Sequence, residues 1–179
     1  YFTRNGSLDE WYLYKIEDIY GNYQEITLDA NNYNRVLKAT SSSGSVVDFE
    51  YNDYGYLSDI VYADGEDSQR IEIEYNNYME SQNNSVTDII YADGTRVKYH
   101  YHEGTKNLSK AIDIDGQYVY YGYTVDTLPR VNSIKKYNRN AVEEAAADIS
   151  YSVTSTTFAD VTNQREYLYT FASNGTLKS

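Results

Sequence analysis

Tyr51-Asn52-Asp53-Tyr54-Gly55-Tyr56-Leu57-Ser58-Asp59-Ile60-Val61-Tyr62-Ala63-Asp64-Gly65 is the stretch from which the fold is read. Just before it, Val47, Phe49 and Tyr51 alternate with Asp48, Glu50 and Asn52, the period-two pattern of a half-buried β-strand. Gly55 and the Asp64-Gly65 pair stand where the chain must reverse, because glycine takes positive φ without a Cβ clash. The Tyr62-Ala-Asp-Gly65 phrase recurs as Tyr91-Ala-Asp-Gly94, each copy behind a β-branched pair, Ile60-Val61 and Ile89-Ile90. Asp115-Gly116 closes a third, more degenerate copy. Asp64-Gly65, Asp93-Gly94 and Asp115-Gly116 are therefore read as type I′ hairpin turns.

Strand patterns lie between these turns. Ile71, Ile73 and Tyr75 alternate with Glu72, Glu74 and Asn76; Val97, Tyr99 and Tyr101 alternate with Lys98, His100 and His102; Tyr167, Tyr169 and Phe171 repeat the pattern near the end. A second phrase, Leu or Val with an apolar residue three positions on, occurs as Leu13/Ile16, Val36/Ala39, Leu57/Ile60, Val86/Ile89, Leu108/Ala111 and Val131/Ile134. A spacing of three puts the two residues on opposite faces of a flat strand. A bulge, or a Leu still inside the turn, is needed to bring them together.

The expected fold is all-β: an antiparallel meander of β-hairpin repeats forming a curved or spiralling sheet over 1–179. Hairpin repeats are expected in 1–123, an irregular insertion in 124–148 and closing hairpins in 149–179. The insertion holds the single proline, Pro129, and Ala141-Val-Glu-Glu-Ala-Ala-Ala-Asp148, the run with the best helix propensity. That run is short for a helix, so one helical turn near 138–148 is the expectation.

Composition sets the function classes. Of 179 residues 23 are Tyr against four Phe and one Trp, so burial rests on rings that each carry a hydroxyl. A net charge of -12 repels phosphate backbones and anionic lipid, which argues against nucleic acid as a partner. No run of apolar residues is long enough to insert in a membrane as a helix, and the absence of Cys removes thiolate chemistry and disulfides. The two ends carry similar phrases, Phe2-Thr-Arg-Asn-Gly-Ser-Leu8 and Phe171-Ala-Ser-Asn-Gly-Thr-Leu177, which suggests a segment excised from a longer repeat array.

These phrases resemble the tyrosine-aspartate (YD) repeat family, also called Rhs repeats, whose pattern is an aromatic, Asp or Asn, two residues, Gly, one residue, Leu. Tyr51 to Leu57 fits it throughout; the Phe2 and Phe171 phrases fit with Phe for Tyr and lack the Asp; Tyr75-Asn76 and Tyr101-His102 begin copies whose Gly is displaced or lost. The stretch from Ile149 to Asp160, with Tyr167 to Phe171, looks like segments of long secreted YD-repeat proteins of Gram-positive bacteria. The resemblance implies a β-hairpin repeat that winds into a broad sheet. In large relatives that sheet encloses a toxin or serves as an adhesive scaffold. The Asp-Pro-rich self-cleavage signature of the shell-forming toxins does not occur, since the one Pro follows Leu128.

No catalytic, cofactor or metal site is expected. His100 and His102 are read as projecting to one side of a strand, a two-ligand edge with no third ligand specified, and exposed strand surface is the plainer reading. Asp113-Ile-Asp-Gly116 and Asp64-Gly-Glu-Asp67 offer oxygens without the loop spacing of an EF-hand, and turn chemistry explains them. The candidate ligand-stacking residues are Trp11, Tyr12, Tyr14, Tyr118, Tyr120, Tyr121 and Tyr123, with glycans as the ligand; cross-strand packing is the favoured alternative. The expected role is a non-enzymatic structural module of a bacterial surface or secreted protein. Its edge strands are expected to pair with neighbouring repeats of a parent chain or with copies of itself. A carbohydrate-binding or adhesin module is the second reading, and a fragment of a toxin-encapsulating shell the third.

Overall fold

The computed structural model describes residues 1–4, 11–32, 35–76, 84–172 and 176–178. All regular structure among these residues is β-strand. Two compact units are distinguished, Tyr1–Glu74 with Asp88–Thr95 and Tyr75–Thr87 with Arg96–Ser179. In the first, β1 (Phe2–Arg4) pairs with β2 (Trp11–Leu13), and β3 (Lys15–Glu17), β4 (Tyr23–Asp29), β5 (Arg35–Ser41), β6 (Val46–Tyr51), β7 (Leu57–Asp64) and β8 (Asp67–Tyr75) follow one another. Strand β9 (Val86–Ile90) is divided between the units. The second unit runs through β10 (Arg96–Tyr101), β11 (Leu108–Ile112), β12 (Tyr118–Tyr123), β13 (Val131–Tyr137), β14 (Glu143–Tyr151), β15 (Ser155–Asp160) and β16 (Arg165–Thr170). From β3 to β16 the hydrogen-bonding order is the chain order, and the two end strands do not pair with each other, so the sheet is a meander and not a barrel.

The Leu-x-x-Ile spacing is resolved by bulges at one recurring place. Tyr51 pairs with Leu57 while Glu50 pairs with Asp59, leaving Ser58 as an extra residue on the returning strand. Tyr101/Leu108, Tyr123/Val131 and Leu28/Val36 do the same, with Ser109, Asn132 and Leu37 as the extra residues. Each bulge shifts the strand by one, so Leu57 and Ile60 come to one face, opposite Tyr51 and Phe49.

The turns differ from the type I′ expectation. At Asp113–Gln117 the Asp113 N–H donates to the Gln117 carbonyl and the Gly116 N–H to the Asp113 carbonyl, with Gly116 at φ 79°. This is a type I turn followed by a left-handed residue, a longer loop than a two-residue hairpin. Tyr91–Thr95, with Asp93 and Gly94, and Asn52–Tyr56, with Gly55, have the same bonds. At Asp64-Gly65 the loop has two residues, Gly65 and Glu66, and Gly65 alone takes positive φ, whereas type I′ needs both.

The helical turn expected near 138–148 is corrected. Tyr137-Asn138-Arg139-Asn140-Ala141-Val142-Glu143 is another copy of the repeat turn, with Ala141 in the glycine place at φ 62° and Glu143 in the Leu place. Ala145 and Ala147 then alternate with Ala146 and Asp148 along β14, which is paired on both sides, to β13 and β15. Two ladders satisfy the backbone, and a helix preference of a few tenths of a kcal/mol per residue cannot compete. Because an L-residue at positive φ is strained, Ala141→Gly is expected to raise stability by about 0.5–1 kcal/mol, read by chemical denaturation.

At the first phrase Phe2 pairs with Leu13, and Leu8 lies outside the described residues. The Asn5-Gly6 and Asn174-Gly175 turns lie outside the described residues. Phe171 bridges Leu177, the equivalent of Tyr51 with Leu57.

No described side chain is fully buried; Ala146 at 8% and Asp59 at 7% exposure are the most enclosed. Each unit is held by its ladders and by same-face pairs such as Phe49–Ile60–Ile71, each contributing about 0.2–1 kcal/mol. On the other face Asp59 accepts from Arg70 at 2.7 Å, and the same guanidinium reaches Glu50 at 3.0 Å, so the enclosed carboxylate is paired.

Candidate functional site

A recurring tyrosine contact organises both units. The Tyr51 hydroxyl donates to the Val36 carbonyl at 2.6 Å, Tyr101 to Val86 at 2.7 Å, Tyr123 to Leu108 at 3.0 Å and Tyr151 to Val131 at 2.6 Å. The first three acceptors lie 15 residues before the tyrosine and the fourth 20 before it. In every case the acceptor is the Leu or Val that opens the Leu-x-x-Ile phrase. At Val36, Leu108 and Val131 this is where the bulge removes a carbonyl from the regular ladder. Each tyrosine ends a strand that pairs directly with the acceptor's strand, β6 with β5, β10 with β9, β12 with β11 and β14 with β13, and its hydroxyl satisfies that carbonyl.

Cations reinforce two of these contacts. Arg35, just before Val36, lies 4.3 Å over the Tyr51 ring, and Arg130, just before Val131, lies 4.3 Å over Tyr151. The Tyr123 ring instead meets His102 edge-on at 5.6 Å. The sequence signal was present as Arg-Val followed by a strand-ending Tyr, but a contact to the paired strand, 15 or 20 residues away, has no local periodicity to expose it.

The turns carry a matching device. Asp18, Asn52, Asp113 and Asn138 each accept two backbone N–H groups at Oδ1, from the residues two and four positions on. At Tyr51-Asn52 and Tyr137-Asn138 this accounts for the Asn that follows the tyrosine: a short acceptor fixes the turn.

Protonation follows from these bonds. Hydrogen bonds from the Asn22, Asn32, Thr95 and Asn163 side chains hold Asp18, Asp29, Asp93 and Asp160, respectively, below the ordinary carboxyl range. Burial raises the phenols of Tyr101 and Tyr123. Depressed folded-state carboxyls give stability that is present above the unfolded value, about 4, and is lost as pH falls through the folded one. Raised phenols give stability present below about 10 and lost as pH climbs through the folded value. Melting temperature against pH is thus expected to be flat from about 5 to 9 and to fall on both sides.

The candidate stacking residues are divided by the sheet. Tyr118 and Tyr120 stand on one face, Tyr121 and Tyr123 on the other, since Tyr120 pairs with Lys110 and Lys135 while Tyr121 pairs with Ile134. Tyr118 stacks on Tyr137 at 5.0 Å and 14°, and Tyr120 meets both edge-on. The Lys110 ammonium lies 4.1 Å from the Tyr118 centroid and 5.1 Å from that of Tyr120. The faces of Tyr118 are thus occupied by its own neighbours. Tyr123 is held by its hydroxyl bond, and Tyr14 packs on Tyr1 at 6.2 Å. Tyr12 is half-buried, whereas Trp11 is 64% exposed.

The histidines do not share a face. His100 lies in the row of Lys110 and Tyr120, while His102 begins the turn and leans on Tyr123, whose ring is on the opposite face. Beside Tyr120, Gly122 comes so close to β13 that an added Cβ would collide with Ser133 Oγ. Gly122→Val is expected to destabilise by about 1–3 kcal/mol, with Ser133→Ala in the same chain restoring part of it in thermal melts.

Comparison with known proteins finds the fold elsewhere. No protein-family model and no curated protein matches the chain. The crystal structure of TcdB2-TccC3-Cdc42 superposes with a TM-score of 0.51 at 15% identity, over 94% of this chain and 10% of that one. TcdB2-TccC3 without its hypervariable C-terminal region gives 0.51 at 14% identity, over 95% and 10%. The likeness is one of fold. The chain spans about a tenth of the length of these Tc toxin chains.

Proposed function

We propose that this chain is a non-enzymatic structural module of YD (Rhs) type, part of a bacterial surface or secreted protein, in which hairpin repeats extend or join other segments. The observation that supports it is a contact that recurs four times: a strand-ending tyrosine hydroxyl closes on the carbonyl of the Leu or Val in the strand paired before it. Beside β16 the Lys178 N–H donates to the Thr170 carbonyl and Phe171 bridges Leu177, so a further segment can continue the ladder there. The module's ends accept adjoining repeats or another copy by this strand addition.

Head-to-tail addition does not close, so it produces species that keep growing with concentration. Light scattering over a hundredfold dilution tests this. Growth beyond two copies that Leu168→Pro in β16 abolishes is the expected result; size independent of concentration and of that proline contradicts it.

Two other readings have an observation each. Exposed rings at Trp11 (64%), Tyr20 (84%) and Tyr54 (66%) favour glycan stacking, and a glycan array whose signal falls with Trp11→Ala supports it. The fold shared with Tc toxin chains favours a fragment of a toxin-enclosing shell.

A further inference from the structure

We infer that the apolar face of the second unit is a sheet-on-sheet interface between two copies of this chain, related by a two-fold axis. Strand register puts Tyr99, Ala111, Val119 and Ile134 on one face, and continues it through Ala147, Phe158 and Tyr167. Among the described residues, charge on the strands of this face is confined to Lys136, which pairs with Glu144 at 3.3 Å, and to Asp160 beside Arg165. An apolar sheet face is stable when another layer covers it, yet these side chains are half-buried or exposed and none is enclosed.

Charge and area both select the occupant. A face whose few charges stand in opposite-sign pairs, Lys136 with Glu144 and Asp160 beside Arg165, offers little to an ionic or nucleic-acid ligand, and matches the same face of a second copy. Strands β10 to β16, about 4.8 Å apart and about six residues long, present roughly 600 Å² per copy, or about 1,200 Å² in a pair. That reaches the lower end of stable, specific interfaces.

Shape then fixes the symmetry. A hollow of 160 Å³, bordered by Val97, Tyr99, Ala111, Val119 and Lys136 and, at its turn end, by Asp113, opens on this face at β10–β13. At the other end of the same face Tyr167 and Tyr169 stand 43% and 42% exposed on β16. A two-fold axis along the strands lays β16 of each copy over β10–β12 of the other, so each copy gives a ring to the partner's hollow. This contact is closed at two copies, unlike addition at the sheet's edges.

Sedimentation equilibrium of the full chain tests it, in variants whose far-UV CD and melting show an intact β-sheet. The dimer is expected to be the first step of wild-type association, reached below the concentrations at which edge addition extends it, and Tyr169→Lys or Ala111→Glu to raise the dissociation constant of that step ~10-fold or more. Leu168→Lys, on the opposite face of β16, is expected to leave it unchanged. Mixing the Ala111→Glu chain with the Tyr169→Lys chain is expected to restore a dimer. One hollow–ring pair then sets the introduced carboxylate against the introduced ammonium, and the other keeps the original residues on both sides. A monomer at every concentration, equal sensitivity to Leu168→Lys, or no restoration on mixing each overturns the inference.

Discussion

Replacing Tyr51, Tyr101, Tyr123 and Tyr151 together by Phe is expected to lower stability by about 2–6 kcal/mol, read from chemical denaturation. The four rings stay, so apolar burial is nearly unchanged and the loss reports the hydroxyl bonds alone. Each of these bonds to a backbone carbonyl contributes about 0.5–1.5 kcal/mol. The four contacts share no residue, so the losses are expected to add. Any single Tyr→Phe is expected to cost a quarter of the total. Four-fold replacement with no change would mean that water satisfies those carbonyls as well as the phenols do.

Tyr118→Ala is expected to cost about 2–3 kcal/mol, the second-largest loss. The residue stacks on Tyr137, meets Tyr120 edge-on and carries Lys110 over its ring. Aromatic pairs contribute about 0.5–1.5 kcal/mol each and a partly exposed cation–π contact about 0.5–1. In a double-mutant cycle with Lys110→Ala the losses are expected to be less than additive, because the two substitutions remove one shared contact. Trp11→Ala, at an exposed ring, is expected to stay within about 0.5 kcal/mol of the wild type. The contrast separates a ring that packs from a ring free for a ligand.

Much of this architecture is legible in the residues. Alternation at Val47-Phe49-Tyr51 and Ile71-Ile73-Tyr75 gives strands where the structure has β6 and β8, and the glycines mark the reversals. The three-residue spacing of Leu57 and Ile60 calls for a bulge, and Ser58 supplies it. The alanine run of β14 misleads because helix propensity is local while its stability comes from β13 and β15, which are remote in a propensity window. Turn type is similarly underdetermined: Asp-Gly fits several turns, and the acceptor that selects among them, Asp113 for Gly116 or Asn52 for Gly55, sits ahead of the pair. Among the candidate stacking residues, composition reveals that there are many rings and period two reveals that Tyr118 and Tyr121 face apart. Their occupancy by Lys110 and Tyr137 depends on register across three strands, which no single segment encodes.

The physical account rests on cross-strand pairing in one register with a bulge after each repeat turn. Backbone NMR of the chain tests it directly, through Hα–Hα and amide contacts between strands. The account predicts contacts at Phe49–Ile60 and Tyr51–Leu57, with Ser58 unpaired, and at Lys135–Ala146 and Ile149–Phe158 along β14. Helical contacts of residues three and four apart through Ala141–Asp148, or a Tyr51 partner other than Leu57, would contradict it.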